Sequence, residues 1–240
     1  IDTPEKYWLE WKEEEEAEEA SSSEGPLDRA LVQLCNKERI LELIHDFTVF
    51  DSGVRKACRH NQYFGVKKAQ ERIGRREGGV IWHTQGSGKS LTMVWLAKWI
   101  RENQKDPRVL LITDREELDE QIEKVFNGVN EKIYRTKSGA DLLDTLNKST
   151  EWLICSLVHK FGSSVGKVGD EEKAQDKFIE ELKANVPKDF KAKGNLFVFI
   201  DEAHRTESGK MHAAMKRLLP GAMFIGFTGT PLLKADKGTS

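Results

Sequence analysis

The chain has 240 residues, of which 38% are hydrophobic and 32% are charged, and its formal net charge is −2 at pH 7. This composition predicts a globular protein with a polar surface and excludes a polycation, so any nucleic-acid binding must come from a local basic patch. No apolar run is long enough to cross a bilayer, and no secretory signal opens the sequence, so no membrane partner is expected. The three cysteines are too few and too widely spaced for a disulfide framework or a zinc site, and a reducing cytoplasm is the expected compartment.

Residues 1–26 differ in composition from the rest of the chain. Between Ile1 and Gly25 ten acidic residues face only two lysines, and a run of serines follows the acidic stretch. Such a segment offers too little apolar surface to form a core. We therefore expect residues 1–26 to be an acidic linker or tail that is flexible in part.

Residues 27–53 predict a helical linker. From Leu27 to Phe50, apolar side chains recur near the spacing of an amphipathic helix, and the Asp-Ser-Gly sequence that follows is a typical helix stop. We interpret this stretch as one helix that packs on a main domain formed by residues 54–240.

The stretch from Val54 to Arg76 is basic, with eight Lys or Arg residues and a single acidic residue, Glu71. It predicts a helix with a positive face, for which plain solvation and a contact with phosphate or nucleic acid are both open interpretations. Gln62 lies in this stretch, upstream of the glycine-rich loop considered below. Its side-chain amide pairs a donor with an acceptor, which could read the edge of an adenine base.

From Gly78 onward, short apolar runs alternate with helical patterns. Helices are predicted at 90–103 and 115–126, and strands at 80–83, 108–113, 151–157, 196–200 and 223–228. Short, continuously apolar strands that alternate with helices indicate an α/β fold with a mainly parallel sheet covered on both faces. A Gly/Ser-rich stretch at 162–169 and a charged, helix-like stretch at 170–185 are interpreted as an insertion or long loop without assigned chemistry.

The loop after the first of these strands has the composition of a phosphate cradle. Its G-x-G-K-S ending fits phosphate-binding loops, although His83 occupies the position where the longer pattern has glycine. Glycines let the backbone wrap an anion, and the following helix directs its N-terminal N–H groups at it. Lys89 would contact the β- and γ-phosphates, and the Ser90 hydroxyl would contact Mg²⁺. The predicted nucleotide-binding residues are Thr84, Gln85, Gly86, Ser87, Gly88, Lys89 and Ser90.

Polar residues also follow three other strands at their carboxyl ends. Asp201 and Glu202 are adjacent carboxylates, which suit Mg²⁺ held partly through water and activation of an attacking water. Thr113 ends the second strand, and Thr228 ends the last strand and opens a Thr-Gly-Thr-Pro turn. Because ligands of parallel sheets bind beyond the carboxyl ends of the strands, we expect these residues to converge with the phosphate loop at one edge.

In this order, the strings TQGSGKS, DEAH and TGTP resemble motifs I, II and III of superfamily 2 helicases and translocases. Longer strings resemble more closely the motor of the R (endonuclease) subunit of type I restriction enzymes: RHNQYFGVKKAQERI, GGVIWHTQGSGKSLTMVWLAK, LLITDREELDEQI and FIDEAHRTESGKMHAAMKRLLPGAMFIGFTGTPL. The strings YWLEWK and ILELIHDFTVFD resemble the linker between that family's nuclease domain and motor. The resemblance is weakest at 162–194, and it implies that residues 54–240 are the first RecA-like P-loop NTPase domain of a motor.

The resemblance also implies roles for individual residues. Gln62 matches an adenine-reading glutamine, Asp201 matches a Mg²⁺-binding carboxylate, and Glu202 matches a water-activating one. Lys89 and Ser90 keep the roles given above. Two further groups follow from the motifs: residues that link hydrolysis to DNA movement are His204, Thr228, Gly229 and Thr230, and residues beside the DNA backbone are Thr113, Asp114 and Arg115.

ATP and Mg²⁺ are the implied cofactors, and double-stranded DNA and the methyltransferase (modification) and specificity subunits are the implied partners, in a bacterial or archaeal cytoplasm. The nuclease domain and a second RecA-like domain with an arginine finger are expected outside this chain. Since such a finger accelerates related phosphoryl transfers by roughly 10³–10⁵, the chain alone should bind ATP–Mg²⁺ weakly and hydrolyse it poorly. Two alternatives stay open: the motor domain of another superfamily 2 DNA or RNA helicase or remodeller, and a nucleotide-responsive binding module.

Overall fold

A computed structural model gives the fold of the chain and describes residues 11, 25–51, 53–84, 86–113, 116–148, 150–158, 170–201 and 206–229. The described part begins with a short linker region before the main domain. This region contains two helices, α1 (Pro26–Leu34) and α2 (Lys37–His45), and an antiparallel hairpin, β1 (Thr48–Asp51) and β2 (Val54–Ala57).

The single helix predicted from Leu27 to Phe50 is therefore wrong. The chain leaves α1 at Cys35, and the side chain of Asn36 accepts hydrogen bonds from the N–H groups of Glu38 and Arg39. An asparagine in this position caps a new helix. The residues after α2 include β-branched and aromatic side chains, which favour the strand that is observed.

The main domain alternates helices with strands. Its elements are α3 (His60–Gly74), β3 (Gly79–Trp82), α4 (Lys89–Asn103), β4 (Pro107–Thr113), α5 (Glu116–Gly128), β5 (Tyr134–Arg135), α6 (Gly139–Lys148), β6 (Leu153–Leu157), α7 (Asp170–Asn185), β7 (Asn195–Asp201), α8 (Thr206–Leu218) and β8 (Met223–Thr228). The six strands β3–β8 form one sheet in the order β3-β8-β7-β4-β6-β5, and every neighbouring pair is parallel. The predicted parallel sheet is confirmed.

Helices cover both faces of this sheet. Val109 and Phe197 belong to a buried cluster with apolar residues of α3, α4 and α5. Their neighbours along the strands, Leu110 and Val198, belong to a second cluster with residues of α6, α7 and α8. Successive strand residues point to opposite faces, so strands buried on both sides must be apolar throughout. No helix in the described part of the chain is long and apolar enough to cross a membrane.

The charged stretch at 170–185 forms α7, and this helix is part of the domain core. Phe178, Ile179 and Leu182 are buried in the second cluster against α6, α8 and the sheet. The helix therefore covers the sheet through one apolar face, although its overall composition is highly charged.

The linker region packs against α3. The Glu42 carboxylate accepts hydrogen bonds from the Tyr63 hydroxyl at 2.6 Å and from Nζ of Lys67 at 2.5 Å. The Arg39 guanidinium lies 5.2 Å from the centre of the Tyr63 ring, and the ring of Trp11 lies 5.6 Å from it. Burial and Glu42 raise the pKa of Tyr63 to about 12, so its hydroxyl stays a donor. The same helix carries Gln62, whose side chain lies beside the phosphate loop.

Candidate nucleotide-binding site

The loop between β3 and α4 turns through two glycines with a left-handed backbone. The φ angle is +79° at Gly86 and +84° at Gly88, where residues with a side chain are strained. Ser87 closes the turn, since its N–H and its Oγ lie 3.1 Å and 2.5 Å from the carbonyl oxygen of Thr84. A tight turn lined by backbone is the geometry that the predicted phosphate cradle requires.

The helix α4 begins directly after this loop, with Gly88 as its N-cap. Because glycine has no side chain, the cap residue supplies no acceptor for the N–H groups of the first turn. Lys89 and Ser90 lie in that turn and are half-buried. The N-terminus of a helix carries a partial positive charge of roughly half a unit, to which Lys89 adds a full one. A phosphate group is the ligand that suits this combination.

Gln62 holds the far end of the loop. It is 2% exposed, and its Nε2 donates to the carbonyl oxygens of Ser87 at 3.1 Å and Gly88 at 3.0 Å. Its Oε1 accepts a hydrogen bond from the N–H of Arg59 at 2.8 Å. Both Nε2 hydrogens are thus committed to the loop, and donation from Nε2 to an adenine base would require one of these bonds to open. The adenine contact of Gln62 stays a prediction.

His83 is a buried connector at the near end of the loop, and sequence reasoning gave it no role. It is 6% exposed, with Nε2 lying 3.0 Å from the carbonyl oxygen of Asn61 and Nδ1 lying 3.4 Å from Oγ1 of Thr92. Its backbone N–H donates to the carbonyl oxygen of Thr228 at 2.9 Å. Burial lowers the pKa of His83, the hydrogen bond to Asn61 opposes this shift, and the charge of Lys89 adds to it. In the sequence, the position of His83 between an apolar strand and the glycine-rich loop could have indicated that this residue supports the loop.

The lowered pKa of His83 predicts an acid-sensitive fold. Below the ordinary histidine pKa of 6.5, the unfolded chain binds a proton at His83 while the folded chain does not. Stability rises with pH wherever the unfolded state binds more protons, so the contribution of His83 is lost as the pH falls through 6.5 towards the folded pKa. Wild type should therefore lose more free energy of unfolding than His83→Gln between about pH 7.5 and about pH 5.5.

Urea unfolding of both proteins at the two pH values provides this measurement. His212, whose pKa is lowered by burial and by Lys216, is present in both proteins, so its contribution cancels in the difference. Equal losses in wild type and His83→Gln would contradict the assignment of a neutral, buried His83.

The other predicted site residues that the structure describes lie at the same edge of the sheet. Asp201 ends β7, Thr228 ends β8 and Thr113 ends β4, and all three are buried. With strands about 4.8 Å apart, Asp201 lies about 10 Å and Thr113 about 14 Å along the edge from β3. The predicted convergence is therefore present, with Thr113 the most distant of the three from the loop.

The end of β3 is tied to the turn that follows β8. Nε1 of Trp82 donates to the carbonyl oxygen of Gly229 at 3.1 Å, beside the bond from His83 to Thr228. A movement of this turn would thus act on His83, the residue that precedes the phosphate loop. Six of the predicted site residues lie outside the described residues: Gln85, Asp114, Arg115, Glu202, His204 and Thr230.

The basic stretch from Val54 to Arg76 is partly neutralised within the domain. Its cations make the following contacts: Lys67 with Glu42, Lys68 with Glu71, Arg72 with Glu77 and the carbonyl oxygen of Gly78, and Arg76 with Asn195. Exposed ion pairs contribute only about 0–1 kcal/mol, so a phosphate could replace them. Binding of nucleic acid at this face stays a prediction.

Comparison with known proteins identifies the family. The family model of the SWI2/SNF2 ATPases matches residues 61–240, which are 180 of the 240 residues. The chain belongs to the SWI2/SNF2 ATPase family. The matched range contains Gln62, the phosphate loop, Asp201 and Thr228.

This SWI2/SNF2 domain is a homologue of type I restriction enzyme endonuclease subunits. It is 31% identical over 226 residues to a putative type I restriction enzyme MjaIXP endonuclease subunit of Methanocaldococcus jannaschii, covering 89% of this chain and 20% of that protein. It is 30% identical over 244 residues to the type I restriction enzyme HindI endonuclease subunit of Haemophilus influenzae, covering 89% of this chain and 22% of that protein. The chain thus spans about a fifth of the length of these relatives and corresponds to an ATPase region within them.

Two solved structures share the fold of the SWI2/SNF2 domain. The UvsW helicase of bacteriophage T4 superposes with a TM-score of 0.51 at 14% identity, covering 80% of this chain and 60% of the helicase. A nuclease-deletion mutant of the Type ISP restriction-modification enzyme LlaGI, solved with a DNA substrate mimic, superposes with a TM-score of 0.50 at 16% identity, covering 76% of this chain and 19% of that enzyme. The predicted RecA-like α/β fold is confirmed by these likenesses, which concern the fold alone.

Proposed function

We propose that this chain is the first RecA-like motor domain of a type I restriction enzyme R subunit. In that subunit it couples ATP hydrolysis to movement along double-stranded DNA, before cleavage by a separate nuclease domain. One observation carries this proposal: the phosphate loop, the first turn of α4 and the ends of β7 and β8 meet at a single edge of the sheet.

The residues at this edge fit ATP–Mg²⁺. The Gly86–Gly88 turn and the first turn of α4 present backbone N–H groups to the phosphates, and Lys89 adds a cation. The hydroxyl of Ser90 and the carboxylate of Asp201 are hard oxygen ligands of the kind that Mg²⁺ prefers. Bound Mg²⁺ would neutralise the charge that develops on the phosphates during transfer.

Glu202 and His204, which closely follow Asp201 in the sequence, complete the proposed chemistry. Glu202 would accept the proton of the attacking water, a role that needs a carboxylate next to the Mg²⁺-binding one. His204 would pass the state of the nucleotide to neighbouring elements. Both assignments are supported by the sequence string DEAH and by the family match.

Coupling to movement is proposed for Thr228, Gly229 and Thr230. The contacts of Trp82 and His83 with this turn support the role, because they join the turn to the strand that precedes the phosphate loop. A change in the conformation of the phosphate loop would then act on the turn through the strand end to which both are joined.

Contact with double-stranded DNA is proposed for Thr113, Asp114 and Arg115. Thr113 lies on the edge that carries the phosphate loop but about 14 Å away from β3, which leaves room for a polynucleotide beside the nucleotide. Methyltransferase (modification) and specificity subunits are the proposed partners, in a bacterial or archaeal cytoplasm. The names of the relatives, which are endonuclease subunits of type I enzymes, support this setting.

The proposal is tested on a complete R subunit carrying this sequence, assembled with its partner subunits. Linear duplex DNA with the recognition site should stimulate ATP turnover and release a labelled third strand from a downstream triplex, whereas single-stranded RNA should do neither. Asp201→Asn should lower ATP turnover by at least about 100-fold, since it removes a charged ligand of the Mg²⁺ that would neutralise the reacting phosphates. Asp144→Asn is the matched control, because Asp144 is exposed and pairs only with Lys148 in the contacts described on α6.

Stimulation by RNA as strong as by duplex DNA would instead favour an RNA helicase. ATP turnover that survives Asp201→Asn would contradict the assignment of the Mg²⁺-binding carboxylate.

A further inference from the structure

The first turn of α3 holds both ends of the phosphate loop through two adjacent residues. The carbonyl oxygen of Asn61 lies 3.0 Å from Nε2 of His83, the residue with which the loop leaves β3. The side chain of Gln62 donates to the carbonyl oxygens of Ser87 and Gly88, with which the loop enters α4. His83 therefore anchors the start of the loop to α3, and Gln62 anchors its end to the same helix.

The ring of His83 fills a closely bounded space between Gly65 of α3 and Thr92 of α4, which we call the His83 seat. A Cβ atom added to Gly65 on α3 would lie 2.9 Å from Nε2 and 3.3 Å from Cε1 of this ring. Contacts under 3.0 Å do not occur for real Cβ atoms, so a side chain at position 65 would push the ring away. Gly65 thus makes room for His83, which is buried to 6% exposure.

The partners of the ring define which nitrogen carries the hydrogen. The carbonyl oxygen of Asn61 can only accept, so Nε2 of His83 carries the hydrogen and Nδ1 of the neutral ring is an acceptor. The hydroxyl of Thr92 on α4 lies 3.4 Å from Nδ1 and can fill that acceptor. The same hydroxyl lies 3.3 Å from the carbonyl oxygen of Gly88, and since it has a single hydrogen it donates either to Nδ1 or to Gly88.

We propose that His83 is a positioning residue for ATP: its ring fixes the start of the phosphate loop to Asn61 of α3 and to Thr92 of α4, and so shapes the loop before the nucleotide arrives. This inference rests on the proposed ATP site. A loop that is already shaped binds more tightly, because less conformational freedom is lost when the phosphates bind. Without the hydrogen bonds of the ring, the Gly86–Gly88 turn samples other conformations, and its N–H groups no longer converge.

Substitutions at position 83 separate hydrogen bonding from space filling. His83→Leu fills much of the space of the ring but makes neither bond. It should weaken binding of the non-hydrolysable analogue AMP-PNP with Mg²⁺ by about tenfold, mainly through loss of the shorter bond, which joins Nε2 to Asn61. His83→Gln can extend an amide N–H to Asn61, and it should recover most of that affinity. Isothermal titration of the chain gives the dissociation constants, and circular dichroism confirms that each variant is folded.

A second measurement tests the seat without any nucleotide. Gly65→Ala should lower the free energy of unfolding of the wild-type protein, as measured with urea. The same substitution should lower it clearly less in the His83→Ala background, because the ring that the new methyl group would contact is absent there. The difference between the two costs is the coupling of a double-mutant cycle. Equal costs in both backgrounds would overturn the placement of the ring.

The titrations also distinguish this inference from the proposed function. If Lys89→Ala weakens AMP-PNP binding by about 100-fold while His83→Leu binds like wild type, the ATP site stands and the positioning role is overturned. A His83→Gln variant that binds no better than His83→Leu overturns it as well. If Lys89→Ala leaves binding unchanged, the ATP site itself is wrong.

Discussion

Replacing Lys89 with alanine should weaken binding of ATP–Mg²⁺ to this chain by about 100-fold while leaving thermal unfolding close to that of wild type. A hydrogen bond from an ammonium group to a phosphate contributes roughly 1.5–3 kcal/mol, which corresponds to about one to two orders of magnitude in affinity. Lys89 lies at the start of α4 and belongs to neither buried apolar cluster. Its loss should therefore affect the ligand and not the fold.

Lys98→Ala is the matched control for this prediction. Lys98 lies on the same helix, is also half-buried, and is more than two turns away from the loop. Titration of all three proteins with ATP and Mg²⁺ gives the comparison. Loss of affinity in both variants would indicate a general effect of helix charge, and unchanged affinity in Lys89→Ala would remove the main support for the nucleotide site.

Five of the six strands of the sheet could be predicted from the sequence because both faces of the sheet are covered, whereas the two-residue edge strand β5 was missed. A strand buried on both sides is apolar along its central residues, as from Val109 to Ile112 in β4 and from Leu196 to Ile200 in β7, so its signal does not depend on knowing its neighbours. Parallel pairing then places all strand ends at one edge, which fixes the approximate positions of Thr113, Asp201 and Thr228. The glycines of the loop also predicted the turn correctly, because the left-handed backbone at Gly86 and Gly88 favours glycine.

The parts that sequence reasoning missed depend on contacts between elements distant in the chain. The break between α1 and α2 rests on the cap at Asn36, which competes with an apolar pattern that continues across it. The bonds of Gln62 with the loop join residues 25 and 26 positions apart. The seat of His83 requires the absence of a side chain at Gly65. Periodicity and local motifs carry no information about such pairs, because they arise only when the helices pack.

At the opposite edge of the sheet, Arg108 supports the fold rather than the site. It lies near the start of β4 and is 3% exposed. Its guanidinium donates to four carbonyl oxygens: those of Thr145 at 2.9 Å, Leu146 at 2.8 Å, Glu151 at 2.9 Å and Lys193 at 3.3 Å. Burial lowers the pKa of Arg108, and the charges of Asp106 and Glu151 oppose that shift.

Two of these carbonyls belong to the last turns of α6, where a helix has no partners of its own for its C=O groups. The other two precede β6 and β7. One side chain thus satisfies the end of a helix and the entries to two strands, and it places a cation at the negative end of the helix dipole.

Arg108→Met should therefore lower the free energy of unfolding by about 4 kcal/mol, since buried carbonyls without donors are costly and methionine keeps most of the volume. For a domain of this size the melting temperature should fall by roughly 10 °C. Arg108→Lys should recover only part of this loss, because an ammonium group cannot reproduce the planar fork that reaches four acceptors. Urea and thermal unfolding measure both effects.

Arg101→Met is the control, because Arg101 also makes specific contacts but at the surface. Its guanidinium pairs with Glu131 and lies 4.6 Å from the centre of the Trp152 ring, with 47% of the side chain exposed. Screened contacts of this kind contribute about 1 kcal/mol at most. A loss at Arg101 equal to that at Arg108 would mean that the buried network adds nothing beyond an ordinary surface contact. A large loss at Arg108 alone would place a main support of the sheet at the edge remote from the phosphate loop, where substitutions alter stability without touching the proposed chemistry.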